Sequence, residues 1–252
     1  MSIGGGARFR ADGRTPGQLR PISIQLDVQK WASASCIIRC GDTHVLCAAT
    51  VEDRIPPHLR GKGTGWVTAE YAMLPGATSE RSQRESVKGR QGGRTHEIQR
   101  LIGRSLRGVV DTAALGERTV SIDCDVLQAD GGTRCASITG GWLVLAIALR
   151  RIGLQRALQG HLAGVSVGIV AETLLLDLDY SEDSHAEVDF NVVATDAGTY
   201  VEVQGTAEGK PFHRQQMDGL LELADGGLKQ LFAVQQEALE RSGPPAATPP
   251  KR

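Results

Sequence analysis

The chain has 252 residues, 40% of them hydrophobic, enough to bury one large core or two small ones. Its formal net charge is −1 and only 4% of its residues are aromatic. These values exclude a globally basic nucleic-acid binder and a surface paved with stacking aromatics, so any grip on RNA has to be local, basic and aimed at phosphates.

The first residues are rich in Gly and Arg and predict a loose extension over 1–11 and an irregular lead-in to residue 20. They hold no apolar segment of the kind a secretion signal needs, so a cytoplasmic location is expected. Ile22 to Val28 alternates as a strand, and residues 34–40 and 43–52 form a hairpin about Gly41-Asp42. An apolar island at Gly65–Leu74 reads as another strand. Residues 76–93 read as a long exposed loop, a length that is usually functional or disordered. Over 95–110, Ile98, Leu101, Ile102, Leu106 and Val109 recur at helical spacing. Residues 118–127 alternate again, and a helix carrying Gly140-Gly141 is expected over 136–151, the glycines implying close backbone packing.

The second part repeats the order of strands then helix. Strands are expected near 163–171, 173–179, 186–195 and 199–207, then an amphipathic helix over 214–241 and a disordered Pro- and Ala-rich tail over 242–252. One domain over 12–241, built as two β-then-α halves with helices against mixed sheets, makes the fold class α+β. The longest apolar run, Trp142 to Leu149, is too short to span a bilayer, so no membrane partner is expected.

Three segments could carry chemistry. From Glu80 to Arg107 there are eight Lys and Arg against three Glu. On the helix, Arg100 and Arg107 read as a solvated face. In the loop, Arg81, Arg84, Lys88, Arg90 and Arg94 sit among glycines that allow close approach, and arginine forks suit phosphate oxygens. Asp130-Gly131-Gly132-Thr133-Arg134 joins a strand to a helix. It reads either as an ordinary βα turn or as a nest of backbone N–H groups strengthened by the helix N-terminus. Asp183 and Asp189 read either as parts of a solvated acidic turn or as a pair able to hold Mg²⁺; Asp177 and Asp179 are assigned to the solvated turn.

Other chemistries lack support. Five cysteines without CxxC spacing predict reduced, buried thiols rather than a zinc site. His96 and His185 are assigned structural roles, and no GxSxG occurs for a serine hydrolase.

Several blocks together resemble the ribonuclease PH family of phosphorolytic exoribonucleases. They are Val51 to Pro57, Gly65 to Tyr71, Gly93 to Arg104, Ile122 to Arg134, and Glu182-Asp183-Ser184 through Val188-Asp189, in order and with the family's spacing. The resemblance implies a ribosomal protein S5 domain 2-like α/β fold and a transferase, a tRNA nucleotidyltransferase. Such an enzyme shortens tRNA precursors and other RNA from the 3′ end, with inorganic phosphate as co-substrate. It implies phosphate binding by Arg94, Gly132, Thr133, Arg134 and Ser137, with Mg²⁺ or Mn²⁺ on Asp183 and Asp189. It further implies RNA binding by Arg81 and Arg84, and a homohexameric ring built as a trimer of dimers. The chain departs from the family at Gly76, where relatives often carry a basic residue. The main rival is a non-catalytic RNA-binding ring subunit of the kind found in exosome rings, which predicts damaged phosphate and metal positions. A hydrolytic nuclease is the other rival.

Overall fold

In the computed structural model, which describes residues 10–243, the first half begins with β1 (Ile22–Leu26), β2 (Ala34–Cys40) and β3 (Thr43–Glu52), an antiparallel meander. β4 (Trp66–Met73) follows, then the one-turn helix α1 (Glu85–Lys88), α2 (Gly93–Arg107) and α3 (Thr112–Leu115). β5 (Thr119–Gln128) inserts between β3 and β4, giving the order β1-β2-β3-β5-β4. The pairing of β4 with β5 is parallel because helical segments intervene, and every other pair in the sheet is antiparallel.

The central helix α4 (Thr133–Arg151) packs on β2, β3 and β5 from one side and on β6 (Leu162–Val170) from the other. All but a few of its residues are buried, so it reads as apolar all round rather than as a striped helix. Gly140 is where the sheet comes closest. A Cβ there would lie 2.8 Å from Cys47 Sγ and 2.9 Å from Ile38 Cγ2, an overpacking that costs about 1–3 kcal/mol.

The second sheet joins β6 to β7 (Thr173–Leu176), β8 (Val188–Thr195) and β9 (Tyr200–Ala207) in the order β7-β6-β8-β9. Its strands are all antiparallel, so the expectation of mixed sheets holds for the first sheet only. Short turns and the one-turn helix α5 (Tyr180–Asp183) connect them, too short for parallel crossovers. The long helix α6 (Arg214–Arg241) lays Leu220, Ala224, Leu228 and Leu231 against this sheet and also touches α4. The α+β class read from the sequence is the observed one. All five cysteines are free and buried.

The ends qualify the sequence reading. Residues 1–9 and 244–252, most of the expected extension and tail, lie outside the described residues. The lead-in from residue 10 is not loose: Arg10, Arg14 and Arg20 are all buried. Three guanidinium groups from an irregular segment are buried because carboxylates and carbonyls from residues 176–182 meet them.

Candidate active site

A pocket of about 800 Å³ opens where the two halves meet. Three backbone segments supply its chemistry. The Asp130–Arg134 turn forms one wall, Arg94 on the first turn of α2 a second, and Asp183 with Asp189 a third.

The turn is set by conformation. Gly131 and Gly132 have φ of +73° and +66°, where an L side chain is strained. Gly131 also has no room for one, since a Cβ there would sit 2.6 Å from the Leu178 carbonyl. Helix α4 starts at Thr133, three residues earlier than its periodicity predicts, so Thr133 and Arg134 lie in its first turn. The N–H groups at such a start have no intrahelical partner and carry the positive end of the helix dipole. Thr133 is oriented by the Tyr71 hydroxyl, 2.9 Å from its Oγ1. Arg134 donates to Gln204 Oε1 at 2.8 Å and lies 3.8 Å from Glu97. Arg94 makes no hydrogen bond or ion pair among the described residues and lines the pocket.

Asp189 sits on β8 with its neighbours Val188 and Phe190 turned into the core, as strand alternation requires. Asp183 closes α5. Burial raises both carboxyls above the ordinary range. Each also feels the other side of the pocket: Arg94 and Arg134 pull both back down, while Asp183 pushes Asp189 further up. Neither aspartate has a salt-bridge partner among the described residues. Two half-buried, mutually repelling carboxylates facing two guanidiniums describe a site suited to phosphates and a hard cation.

The structure therefore brings Arg94, Gly132, Thr133, Arg134, Asp183 and Asp189 together around one space. Ser137, expected as a further phosphate ligand, does not line the pocket. It is fully buried one turn into α4, and its Oγ donates to the Thr133 carbonyl at 2.8 Å, so it faces the helix rather than the pocket. Asp177 and Asp179, assigned to a solvated turn, are bonded into the fold instead. Asp177 is buried against Arg20, and Asp179 caps α5 by accepting the Glu182 N–H. Arg81 and Arg84 are exposed just beyond Thr78, Ser79 and Glu80, which line the pocket rim. Gly76 is exposed, with open space where a side chain would go. The helix arginines are structural: Arg104 pairs with Glu202, and Arg107 lies over the Trp66 ring at 4.3 Å.

Sequence reasoning missed Tyr71, Tyr180 and Asn191. Asn191 follows Asp189 by two residues on the same strand face, so alternation alone could have found it. Its Nδ2 donates to Asp189 Oδ2 at 3.5 Å. Tyr180 stands 61% exposed at the pocket rim, which no local pattern signals.

Comparison with known proteins places both halves of the chain. Residues 18–150 match the model of the 3′ exoribonuclease family, domain 1, and residues 161–227 match domain 2 of that family. A relative from Moorella thermoacetica, named ribonuclease PH, is 55% identical over 238 residues, 92% of this chain and 94% of its own. Among solved structures, rice (Oryza sativa) Rrp46 superimposes with a TM-score of 0.76 over 92% of this chain and all of its own. At 18% identity, that likeness carries the fold alone.

Proposed function

Since the chain belongs to the ribonuclease PH family of 3′ exoribonucleases, we propose that the pocket between Arg94, the Asp130–Arg134 turn and Asp183/Asp189 is its phosphorolytic active site. The protein is a phosphate-dependent tRNA nucleotidyltransferase that shortens tRNA 3′ ends. The observation that carries the site assignment is the meeting of an uncommitted arginine, an anion nest and two carboxylates around one space.

Phosphorolysis sets an anion against an anion. A phosphate oxygen attacks the phosphorus of the last phosphodiester, and the bond to the preceding 3′-oxygen breaks. The products are a nucleoside diphosphate and an RNA one residue shorter, whose 3′-oxygen takes up a proton. Arg94, Arg134, the Thr133 hydroxyl and the N–H groups of the turn hold the attacking phosphate, neutralise it and keep it in line. Phosphate is already a competent nucleophile, so no general base is needed. Asp183 and Asp189 fit Mg²⁺ or Mn²⁺, whose charge when bound offsets the negative charge that builds on the scissile phosphate and the leaving oxygen.

Arg81 and Arg84 are assigned to the RNA backbone, because they are exposed next to the pocket rim and free to follow a strand leaving it. Gly76 tests this side of the site. Gly76→Arg places a cation in open space beside the rim, and tRNA affinity should rise about three- to tenfold, with a salt dependence steeper by about one counterion. A filter-binding titration at several salt concentrations measures both; equal slopes for the two proteins would remove this face from the RNA path. Ribosomal RNA precursors are a further substrate of the same chemistry.

Assembly as a homohexameric ring, a trimer of dimers, is the family's arrangement. A cytoplasmic location is in keeping with the described residues, where no helix is long and apolar enough to cross a membrane.

The deciding experiment incubates tRNA carrying a few extra 3′ nucleotides with Mg²⁺, with and without inorganic phosphate. Shortening only with phosphate, releasing nucleoside diphosphates, is the expected result. Shortening without phosphate, releasing monophosphates, would make the pocket hydrolytic, and tight binding without shortening would make the chain a ring subunit without catalysis.

A further inference from the structure

The buried lead-in ends directly beneath the phosphate turn. Arg20 grips Asp177 with two parallel bonds, Nε to Oδ2 at 3.0 Å and Nη2 to Oδ1 at 2.7 Å, and its own backbone N–H donates to Oδ2 at 2.8 Å. The rest of the guanidinium reaches the turn from below. Nη1 donates to the Asp130 carbonyl, and Nη2 lies 3.5 Å from the Gly131 carbonyl. Thr43, fully buried, holds the peptide before Asp130 and shares the Gly131 carbonyl with Arg20. Its Oγ1 accepts the Asp130 N–H at 2.9 Å and donates to the Gly131 carbonyl at 2.6 Å.

In a trans peptide the C=O and the next N–H point in opposite directions. Holding the carbonyls of Asp130 and Gly131 from beneath therefore turns the N–H groups of Gly131 and Gly132 away from Arg20. Neither N–H has an acceptor among the described residues. Arg20 itself does not line the active-site pocket and is 5% exposed. Its hydrogen-bonded link to the site runs through the backbone of the turn.

Asp177 marks the other end of the device. It is a buried non-glycine residue with φ of +54°, a strained conformation that persists only where surroundings enforce it. Its carbonyl accepts from Arg10 Nη2 at 2.9 Å and Arg14 Nη1 at 2.8 Å. Three residues later α5 begins, and it ends at Asp183. The start of α5 is also bonded to the turn, since the Tyr180 N–H donates to Asp130 Oδ1 at 3.2 Å. One ion pair thus touches the backbone of the phosphate turn on one side and the root of the carboxylate wall on the other.

We propose that Arg20 and Asp177 are positioning residues for phosphorolysis, whose ion pair holds the Asp130–Gly132 backbone so that its N–H groups converge on the attacking phosphate. The inference rests on the pocket being the phosphate site. Removing Arg20 frees the Asp130 carbonyl, leaves the Gly131 carbonyl to Thr43 alone and loosens the nest without touching the path of the RNA.

The test is steady-state kinetics on extended tRNA, with phosphate and tRNA varied separately. Arg20→Met should raise KM for phosphate roughly tenfold or more, the scale of one lost charge-assisted interaction, with KM for tRNA within about twofold of wild type. Arg20→Lys, which keeps the charge but not the fork, should recover part of the loss. Arg20→Met alone leaves the buried Asp177 carboxylate with only the longer ion pair to Arg14, Nη1 to Oδ2 at 3.8 Å, and can fail to fold. The double variant Arg20→Met/Asp177→Asn removes that charge and should show the same phosphate defect at a melting temperature near wild type. A folded double variant with wild-type KM for phosphate overturns the proposal. So does a rise in both KM values in step with lost stability, which marks a merely structural pair. A wild-type protein indifferent to phosphate would instead overturn the site assignment on which the proposal stands, so the two failures are distinct.

Discussion

Asp189→Ala should lower turnover at saturating tRNA and phosphate by about a thousandfold or more, the scale of several kcal/mol expected when charge stabilisation by a bound divalent cation is lost. Binding of tRNA should stay within about threefold of wild type, because no RNA-backbone role falls to this carboxylate. The fold should not suffer. Asp189 is raised by burial and by repulsion from Asp183, so its ionised form is held at a cost. An acid whose folded pKa lies above its unfolded one favours folding at pH values below the unfolded pKa, and that benefit is lost as pH rises through the folded pKa. Near neutral pH, neutral replacement relieves a cost. Asp189→Asn, which keeps the shape, should therefore melt at or above the wild-type temperature while remaining inactive. Metal titration of the wild type and of Asp189→Asn, followed by single-turnover decay of labelled tRNA, separates the two effects. Normal degradation by a folded Asp189→Ala protein would end the metal assignment.

How much of this was legible before the structure depends on whether a feature is local. The strands were, because Val120, Ile122, Cys124 and Val126 alternate with polar neighbours over a span no helix matches. Helix α2 was, from its single apolar stripe. The start of α4 was misplaced by three residues because Thr133, Arg134 and Cys135 carry no periodic signal; the left-handed glycines before them define the start instead. That shift also explains Ser137, which lies deeper in the helix than a βα turn suggests and bonds back to Thr133. The phosphate and carboxylate walls were each visible as local clusters, but their meeting was carried by the family resemblance rather than by any spacing. Arg20 was invisible because its partners lie more than a hundred residues away in Asp130, Gly131 and Asp177. A buried arginine in a Gly- and Arg-rich lead-in has the same composition as a disordered one, and only the distant carboxylates distinguish them.

Arg94→Ala should cost about ten- to a hundredfold in phosphate use, the value of a charge-assisted interaction of roughly 1.5–3 kcal/mol. The loss should fall on KM for phosphate and on kcat/KM more than on tRNA binding. Unlike Arg134, which Gln204 and Glu97 hold in place, Arg94 has no partner within the described chain to strand when it is removed. It also sits on the first turn of α2, where a cation opposes the helix dipole. Truncation relieves that opposition but also removes a charge that favours ionised Asp183 and Asp189, so the melting temperature should change little, and activity lost at an unchanged melting temperature cannot be assigned to lost fold. Arg94→Lys discriminates further. If the residue supplied only positive charge, Lys would restore nearly all activity; if it forms a fork on two phosphate oxygens, Lys should fall between Ala and wild type. Wild-type phosphate dependence in Arg94→Ala would leave Arg134 and the backbone nest as the whole phosphate site, and Arg94 would join Arg81 and Arg84 on the RNA side of the pocket.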